Sequence, residues 1–474
     1  MGNKIARTGL VEKCGVVGAA SGNLEHTPKY LYYGLYALQH RGQEAAGIAV
    51  WNKDVRCHKG LGLVSHIFSN DILSNLAGNR GIGHTYYSIK LSVPENAQPH
   101  IVKTHVGDIA IAHNGIIVNS EELKSSLMKE GHVFVLGSEE EAMAYILARG
   151  IKDSGNVWRA IYGMMRKIKG SYALTIMIND RVFGVRDPYG IKPLCVGELD
   201  GGYGIASESV VFDVLGGRFL YDILPGEVVE ITEDGVERRR FFEVEHTAHC
   251  FFEYVYFARA DSVLDGREVY SVRRQIGRVL ADEHPANADV VIPVPDSGRA
   301  QAYGFSEKSG IPIAEGLMKN RYSQRTFIMP TQLQRELSVR AKLNVVRSVV
   351  DGARVVLVDD SIVRGTTMRK IVRMLRKAGA KEVHVRIGSP PIIAPCYFGI
   401  DMTTRDQLIA SGRTIDEIRR IIGADSLNYI SVDGLVKAIG VDRNDLCLGC
   451  VTAEYPMNIP GEKHRFQERL DQFI

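Results

Sequence analysis

What the chain lacks narrows it first. It has almost no net charge: 58 Lys and Arg against 55 Asp and Glu leave +3. Composition therefore supplies no basic face for nucleic acid and no pull toward a membrane. No apolar run approaches the ~20 residues of a membrane-spanning helix. The charged stretch Met1–Lys13 contains no hydrophobic segment of the secretory kind. A soluble, cytoplasmic protein is expected. Cysteines are sparse, seven in 474 residues. An odd number without a secretion signal predicts thiol or metal chemistry rather than disulfides. Repeats, low-complexity tracts and the G-x-x-x-x-G-K-[ST] phosphate loop are all missing. At this length two or three domains are expected, each able to bury its own core.

The most informative run present is Val355-Val356-Leu357-Val358-Asp359-Asp360-Ser361-Ile362-Val363-Arg364-Gly365-Thr366-Thr367. Four apolar β-formers predict a buried parallel strand. Two carboxylates stand at its C-terminal end, where α/β sheets place ligands. Met368, Ile371, Val372 and Leu375 then recur at helical spacing up to Gly379. The N–H groups of Gly365, Thr366 and Thr367 open that helix and can hold a phosphate. Paired acids beside them suit a ribose diol and Mg²⁺, so the motif points to a phosphorylated sugar. It resembles the phosphoribosyl diphosphate (PRPP) loop of type I phosphoribosyltransferases. Upstream, Val291-Ile292-Pro293-Val294-Pro295-Asp296-Ser297-Gly298 is a strand ending in a small-residue turn, fit for a diphosphate. Between the two lies the basic, aromatic stretch Lys319-Asn320-Arg321-Tyr322 with Arg325-Thr326-Phe327, a lid over an anionic substrate or a solvated loop.

The chain divides near residues 245–255. Before it, β-like runs (Cys14–Ala20, Ala45–Trp51, Ile109–His113, Tyr172–Ile178, Arg181–Val185) are interrupted by helical segments at Lys29–His40 and Ser120–Glu130. This predicts an α+β domain with a large antiparallel component. After it, strands alternate with helices, the pattern of a parallel sheet, and the tail from Thr404 reads as helical and charged. The first half carries different chemistry. Cys14-Gly15-Val16-Val17-Gly18 follows a thirteen-residue leader. Removal of that leader would give Cys14 a free α-amino group, pKa ~7.7–8.0, able to take the proton from its own thiol. A glutaminase built this way also needs oxyanion donors, for which Asn114 and the N–H of Gly115 are the candidates.

Together these halves, with Arg186-Asp187-Pro188, Ala206-Ser207-Glu208-Ser209 and Phe252-Glu253-Tyr254-Val255-Tyr256-Phe257-Ala258-Arg259, resemble the glutamine phosphoribosylpyrophosphate amidotransferase family. The resemblance implies a propeptide (1–13) and an N-terminal-nucleophile (αββα) glutaminase domain (14–246). An α/β type I phosphoribosyltransferase domain (247–474) follows. Ammonia from glutamine would pass inside the protein to PRPP, displacing diphosphate to give 5-phosphoribosylamine, the first step of de novo purine biosynthesis. Arg41, His84 and Glu139 would surround glutamine. Ser297, Asp359 and Asp360 would hold Mg²⁺ and substrate. Arg364, Gly365, Thr366 and Thr367 would hold the 5-phosphate, Ser361 would also contact PRPP, and Lys319 and Arg321 would lie on the lid. A homotetramer inhibited by purine nucleotides is implied as well. Taken alone, Cys447-x-x-Cys450 admits a redox dithiol, half a zinc site or part of an iron–sulfur cluster. In one subset of the family, cysteines at the places of Cys250, Cys396, Cys447 and Cys450 carry a 4Fe–4S cluster, alongside a cleaved propeptide.

The glutamine pocket departs from the family's pattern. The usual G-H-x-R-Y-S-T appears as Gly83-His84-Thr85-Tyr86-Tyr87-Ser88-Ile89, so the arginine that forks onto the substrate carboxylate is Tyr86. S-D-[ST]-E appears as Ser138-Glu139-Glu140-Glu141, and N-G-N as Asn114-Gly115-Ile116. Three readings follow: an amidotransferase with a rebuilt pocket, Lys90 or Arg41 supplying the missing charge; a phosphoribosyltransferase using free ammonia; or a noncatalytic regulatory paralogue.

Overall fold

The computed structural model describes residues 14–87, 94–320, 343–402 and 404–460. In the first half, period-two strands stack as two antiparallel sheets. Strand Gly15–Ser21 shows the logic. Val17 and Ala19 pack with Leu31 and Leu35 of helix His26–Ala37, whereas Val16 and Ala20 join Ala110, Ala112 and Ala173 of the second sheet. Strand Gly107–Ile117 mirrors it: Ala110 and Ala112 face the first sheet, Ile109 and Ile111 face Met143, Leu147 and Ile161 of two helices. Small residues fill much of the gap between sheets and larger ones the outer layers. The result is the helix–sheet–sheet–helix sandwich expected.

The seven-stranded sheet runs Arg218–Asp222, Cys195–Leu199, Gly202–Ala206, Gly15–Ser21, Arg80–Tyr86, Ala45–Asn52, Asp54–Leu61. The six-stranded sheet runs Val236–Arg240, Glu227–Ile231, Arg181–Arg186, Gly170–Ile178, Gly107–Ile117, His100–Thr104. Helices Glu139–Ser154 and Val157–Lys167 add to the two segments expected from sequence. Ser138 caps the first by accepting the Glu141 N–H, Gly155 closes it at φ 62°, and Asn156 caps the second.

The second half holds a four-stranded parallel sheet in the order Val290–Pro293, Arg354–Asp359, Glu382–Ile387, Ser426–Tyr429. The last strand corrects the all-helical reading of the tail. Its four residues fall between helices Ile415–Ile422 and Val432–Ile439, too short to show an alternation of their own. Strand His249–Cys250 pairs in parallel with Leu446–Cys447, tying the start of this half to its end. No helix among the described residues is long and apolar enough to cross a membrane.

Helices Val269–Glu283 and Arg299–Ser309, which flank the diphosphate-type turn, cross on a pair of glycines. A Cβ on Gly277 would lie 1.9 Å from Gln301 O, and one on Gly304 1.9 Å from Arg274 O. In an open helix Gly→Ala gains about 1 kcal/mol of propensity. Here the neighbour is backbone and cannot yield, so overpacking wins. Gly277→Ala should destabilise this half by about 3 kcal/mol, the upper end for overpacking. At ~2–4 °C per kcal/mol its calorimetric transition should drop roughly 6–12 °C. A variant melting with the wild type would refute the close crossing.

Candidate active sites

Cys14 stands immediately before its strand with φ 79° and is 4% exposed. A non-glycine residue in this conformation is uncommon and clusters at functional sites. Its strand is pinned on both sides: Gly15 N–H donates to Thr85 Oγ1 (3.2 Å) and Val16 N–H to Ser207 Oγ (2.9 Å). Across the gap, Asn114 shares the face of Ala110 and Ala112. Its side-chain amide is wholly buried, and neither polar atom has a partner. Leaving such groups unpaired costs about 1–3 kcal/mol, which a ligand oxygen would recover.

The backbone at Gly115 is equally unusual. The neighbouring strand His100–Thr104 pairs only as far as His100 with Ile111, so residues 112–117 have a ladder on one side alone. On the open edge, His113 N–H donates to Gln98 Oε1 (2.8 Å) and Ile117 N–H to Glu139 Oε2 (3.0 Å). Alternation directs the Gly115 N–H to that same edge, between two amides already taken. Gly115 itself has φ 148°, and a Cβ there would lie 2.0 Å from Ser171 O. Only glycine fits.

Of the three residues expected around glutamine, Glu139 alone faces this edge in a usable way. It sits at the N-terminus of helix Glu139–Ser154, partly exposed, with Oε2 3.5 Å from His113 Nδ1. His84 is buried, its Nε2–H donating to His113 O at 3.1 Å, and burial pushes its pKa down to about 3. It is a neutral structural group. Arg41 is committed elsewhere: its buried guanidinium pairs with Glu208 and, at 2.7 Å, with Glu253. That counts against Arg41 as the replacement cation. Tyr86, at the arginine's position, lies beside His84 with ring centroids 5.8 Å apart. Lys90, Ser88 and Ile89 lie outside the described residues, as does the leader.

Sequence reasoning assigned no role to a buried quartet behind Asn114. Glu140 Oε1 meets Gln98 Nε2 and His113 Nδ1, both at 3.1 Å, and its Oε2 meets His100 Nδ1 at 3.1 Å. Burial alone would lower the His113 pKa and raise that of Glu140; the pairing outweighs both, holding His113 above its ordinary value and Glu140 well below. The signal was present in Gln98, His113 and Glu140, but only folding brings them together.

In the transferase half, strand Arg354–Asp359 delivers Asp359 and Asp360 to the sheet's carboxyl edge, both buried. Asp360 N–H donates to Asp359 Oδ1 (2.9 Å) and Ser361 Oγ to Asp360 Oδ1 (2.5 Å), while Ser297 bonds the same carboxylate. The two ligand turns therefore meet, as expected. Burial first, then their mutual charge, raises the Asp359 pKa strongly; burial also raises Asp360. A cation would reverse that, and one or two carboxylates plus substrate oxygens is the donor set Mg²⁺ takes. Gly365, at φ 73°, opens helix Thr366–Lys377 with Thr366 and Thr367 exposed. Arg364 gives one nitrogen to Gln407 (2.6 Å) and leaves Nη1 buried and unpartnered. Lys319 Nζ lies 2.8 Å from Asp296 Oδ2 of the diphosphate-type turn. Arg321, Tyr322 and Arg325-Thr326-Phe327 of the expected lid fall outside the described residues.

Four cysteines converge. Cys250 and Cys447 are register partners, Ile393 and Ala394 N–H both bond Cys450 O, and Cys396 is electrostatically coupled to Cys250, Cys447 and Cys450. Burial raises the Cys250 and Cys450 thiols well above the usual range and Cys447 to about 12. No three of these sulfurs fall within 4.8 Å of one another. A single zinc with ~2.3 Å Zn–S bonds would draw them to about 3.8 Å.

Residues 84–213 match the glutamine amidotransferase domain family and residues 260–387 the phosphoribosyl transferase domain family. The amidophosphoribosyltransferase of Methanocaldococcus jannaschii is 51% identical over 467 residues, covering 95% of this chain and 99% of its own. That of Bacillus subtilis is 45% identical over 462 residues, covering 95% of each. A solved structure described as the allosteric regulatory enzyme of purine biosynthesis superposes with TM-score 0.89 at 45% identity, over 95% of this chain and 97% of that one. The glutamine PRPP amidotransferase from B. subtilis complexed with ADP and GMP gives 0.88 at 44%, over 95% and 98%. With both domain families in order and relatives matched nearly end to end, the chain belongs to the amidophosphoribosyltransferase family.

Proposed function

We propose that residues 14–246 release ammonia from glutamine and that residues 247–474 use it to convert PRPP into 5-phosphoribosylamine. The observation that carries this reading is the buried, unpartnered amide of Asn114 beside the open edge at Gly115. A regulator or an ammonia-only transferase has no use for polar atoms kept dry and empty there.

The chemistry follows from the chain's own groups. With Met1–Lys13 removed, the Cys14 α-amino nitrogen takes the thiol proton and the sulfur attacks the glutamine amide carbon. Asn114 and the Gly115 N–H receive the oxyanion. The proton passes to the departing nitrogen, ammonia leaves, and water hydrolyses the thioester to glutamate. Glu139 offers a carboxylate to the substrate's ammonium. In the second site ammonia attacks C1 of PRPP and diphosphate departs. Mg²⁺, held by Asp359 and Asp360 with Ser297 nearby, would neutralise charge on the diphosphate. The exposed N–H groups of Thr366 and Thr367 offer the 5-phosphate a helix N-terminus.

Two donors separate the two sites. In protein whose intact mass begins at Cys14, Cys14→Ala should lose glutamine-dependent synthesis and keep ammonia-dependent synthesis. Replacing Asp359 and Asp360 together by Asn should abolish both. A full-length chain that still hydrolyses glutamine, or an Asn pair that still transfers, would defeat the proposal.

The wide, thiol-rich site formed by Cys250, Cys396, Cys447 and Cys450 suits a 4Fe–4S cluster. Protein purified without oxygen should be brown and contain about four irons per chain. Colourless protein with one zinc per chain would contradict this assignment.

A further inference from the structure

We propose that the turn 396–399 of the transferase half braces the oxyanion strand of the glutaminase, with Ser171 and Gly399 as positioning residues for glutamine hydrolysis. The inference rests on the glutaminase reading above and extends it to groups remote from the nucleophile.

The oxyanion stretch is under-supported by its own sheet. From Ala112 onward it has a strand on one side only, Gly170–Ile178, where Ile116 is the partner of Ser171. Ser171 is completely buried, and its hydroxyl belongs to both halves of the molecule. Oγ accepts the Ile116 N–H at 3.2 Å and donates to the carbonyl of Phe398 at 2.8 Å. A single oxygen thus fixes the peptide after Gly115 to a turn 227 residues beyond Ser171 in sequence.

The next residue of that turn closes the contact. Gly399 has φ 120°, and a Cβ built on it would meet Gly115 Cα at 3.5 Å, Lys192 Cε at 3.1 Å and Lys192 Nζ at 3.5 Å. Glycine lets the turn lie flat on the oxyanion residue, with the buried Lys192 ammonium beside it and Glu253 3.9 Å from that nitrogen. The turn is itself held: Phe398 is 2% exposed and its N–H donates to Cys396 Sγ at 3.3 Å. The cysteine site and the oxyanion residue are therefore joined through Phe398 and Ser171.

An oxyanion hole gains its effect from donors already in place before the transition state. A donor displaced by a fraction of an ångström still lets substrate bind but stabilises the tetrahedral intermediate less. Ser171→Ala should then lower glutaminase kcat by about 10- to 100-fold, less than outright loss of a donor, with KM for glutamine within twofold. Ammonia-dependent synthesis, and alkylation of Cys14 by iodoacetamide followed on its own peptide, should stay within twofold of wild type. Gly399→Ala should give the same split, because φ 120° is strained for alanine and its Cβ would crowd Lys192 Cε at 3.1 Å, so the turn must shift; it serves if Ser171→Ala folds poorly. Unchanged glutaminase kcat in both variants, or equal loss with both nitrogen donors, overturns the brace. A wild-type enzyme that releases no ammonia from glutamine overturns the glutaminase reading, and the brace with it.

Discussion

Arg41 reaches from the turn after the first helix to Glu208 in the glutaminase half and to Glu253 at the start of the transferase half, with all three side chains essentially dry. A guanidinium in that position is costly alone and stable only while both carboxylates surround it. Glu208 gathers further support from His40, Ser262 and the Arg259 N–H, and burial is outweighed by Arg41 in holding its carboxyl below the usual range. Removing one member of a buried pair typically costs 3–5 kcal/mol, because the survivor stays buried and unpaired. The join between the two halves rests in part on this triad, with Arg186–Asp265 and Ser171–Phe398 beside it. So does the short π-helix Glu253–Phe257, whose backbone carbonyls are taken up by Arg273 on the other side.

Both catalytic regions use the same physical device. Polar groups are kept out of water at both proposed sites: the unpartnered Asn114 amide in one half, the like-charged Asp359–Asp360 pair in the other. Neither arrangement is good for folding stability. Each is held by a well-satisfied surround, Gln98, His100, His113 and Glu140 for the first, Ser297 and Ser361 for the second. The one-sided stretch around Gly115 is met across the domain boundary by Ser171, Phe398 and Gly399.

The parts of this molecule readable from sequence are those encoded locally. The run from Val355 to Thr367 carries strand, acids, turn and helix within thirteen residues, and the structure keeps every one of them in place. The β-like run Cys14–Ala20 marked a strand, although only packing reveals that its two faces meet different layers. What escaped is long-range or short. Strand Ser426–Tyr429 has no pattern apart from the sheet edge that receives it. Arg41 looked like a spare cation because Glu208 and Glu253 are distant in sequence. Glu140 was passed over beside Glu139, yet it holds the scaffold behind Asn114 while its neighbour faces the pocket.

The central claim is that the nitrogen freed from glutamine at Cys14 is the nitrogen transferred at the Asp359–Asp360 site. Glutamine labelled with ¹⁵N at the amide, supplied with PRPP and an excess of unlabelled ammonium below the level that supports appreciable synthesis alone, tests it directly. The account predicts 5-phosphoribosylamine that carries the label nearly undiluted. Product whose nitrogen matches the isotopic composition of the bulk ammonium would show two independent sites sharing only solvent, and would contradict it.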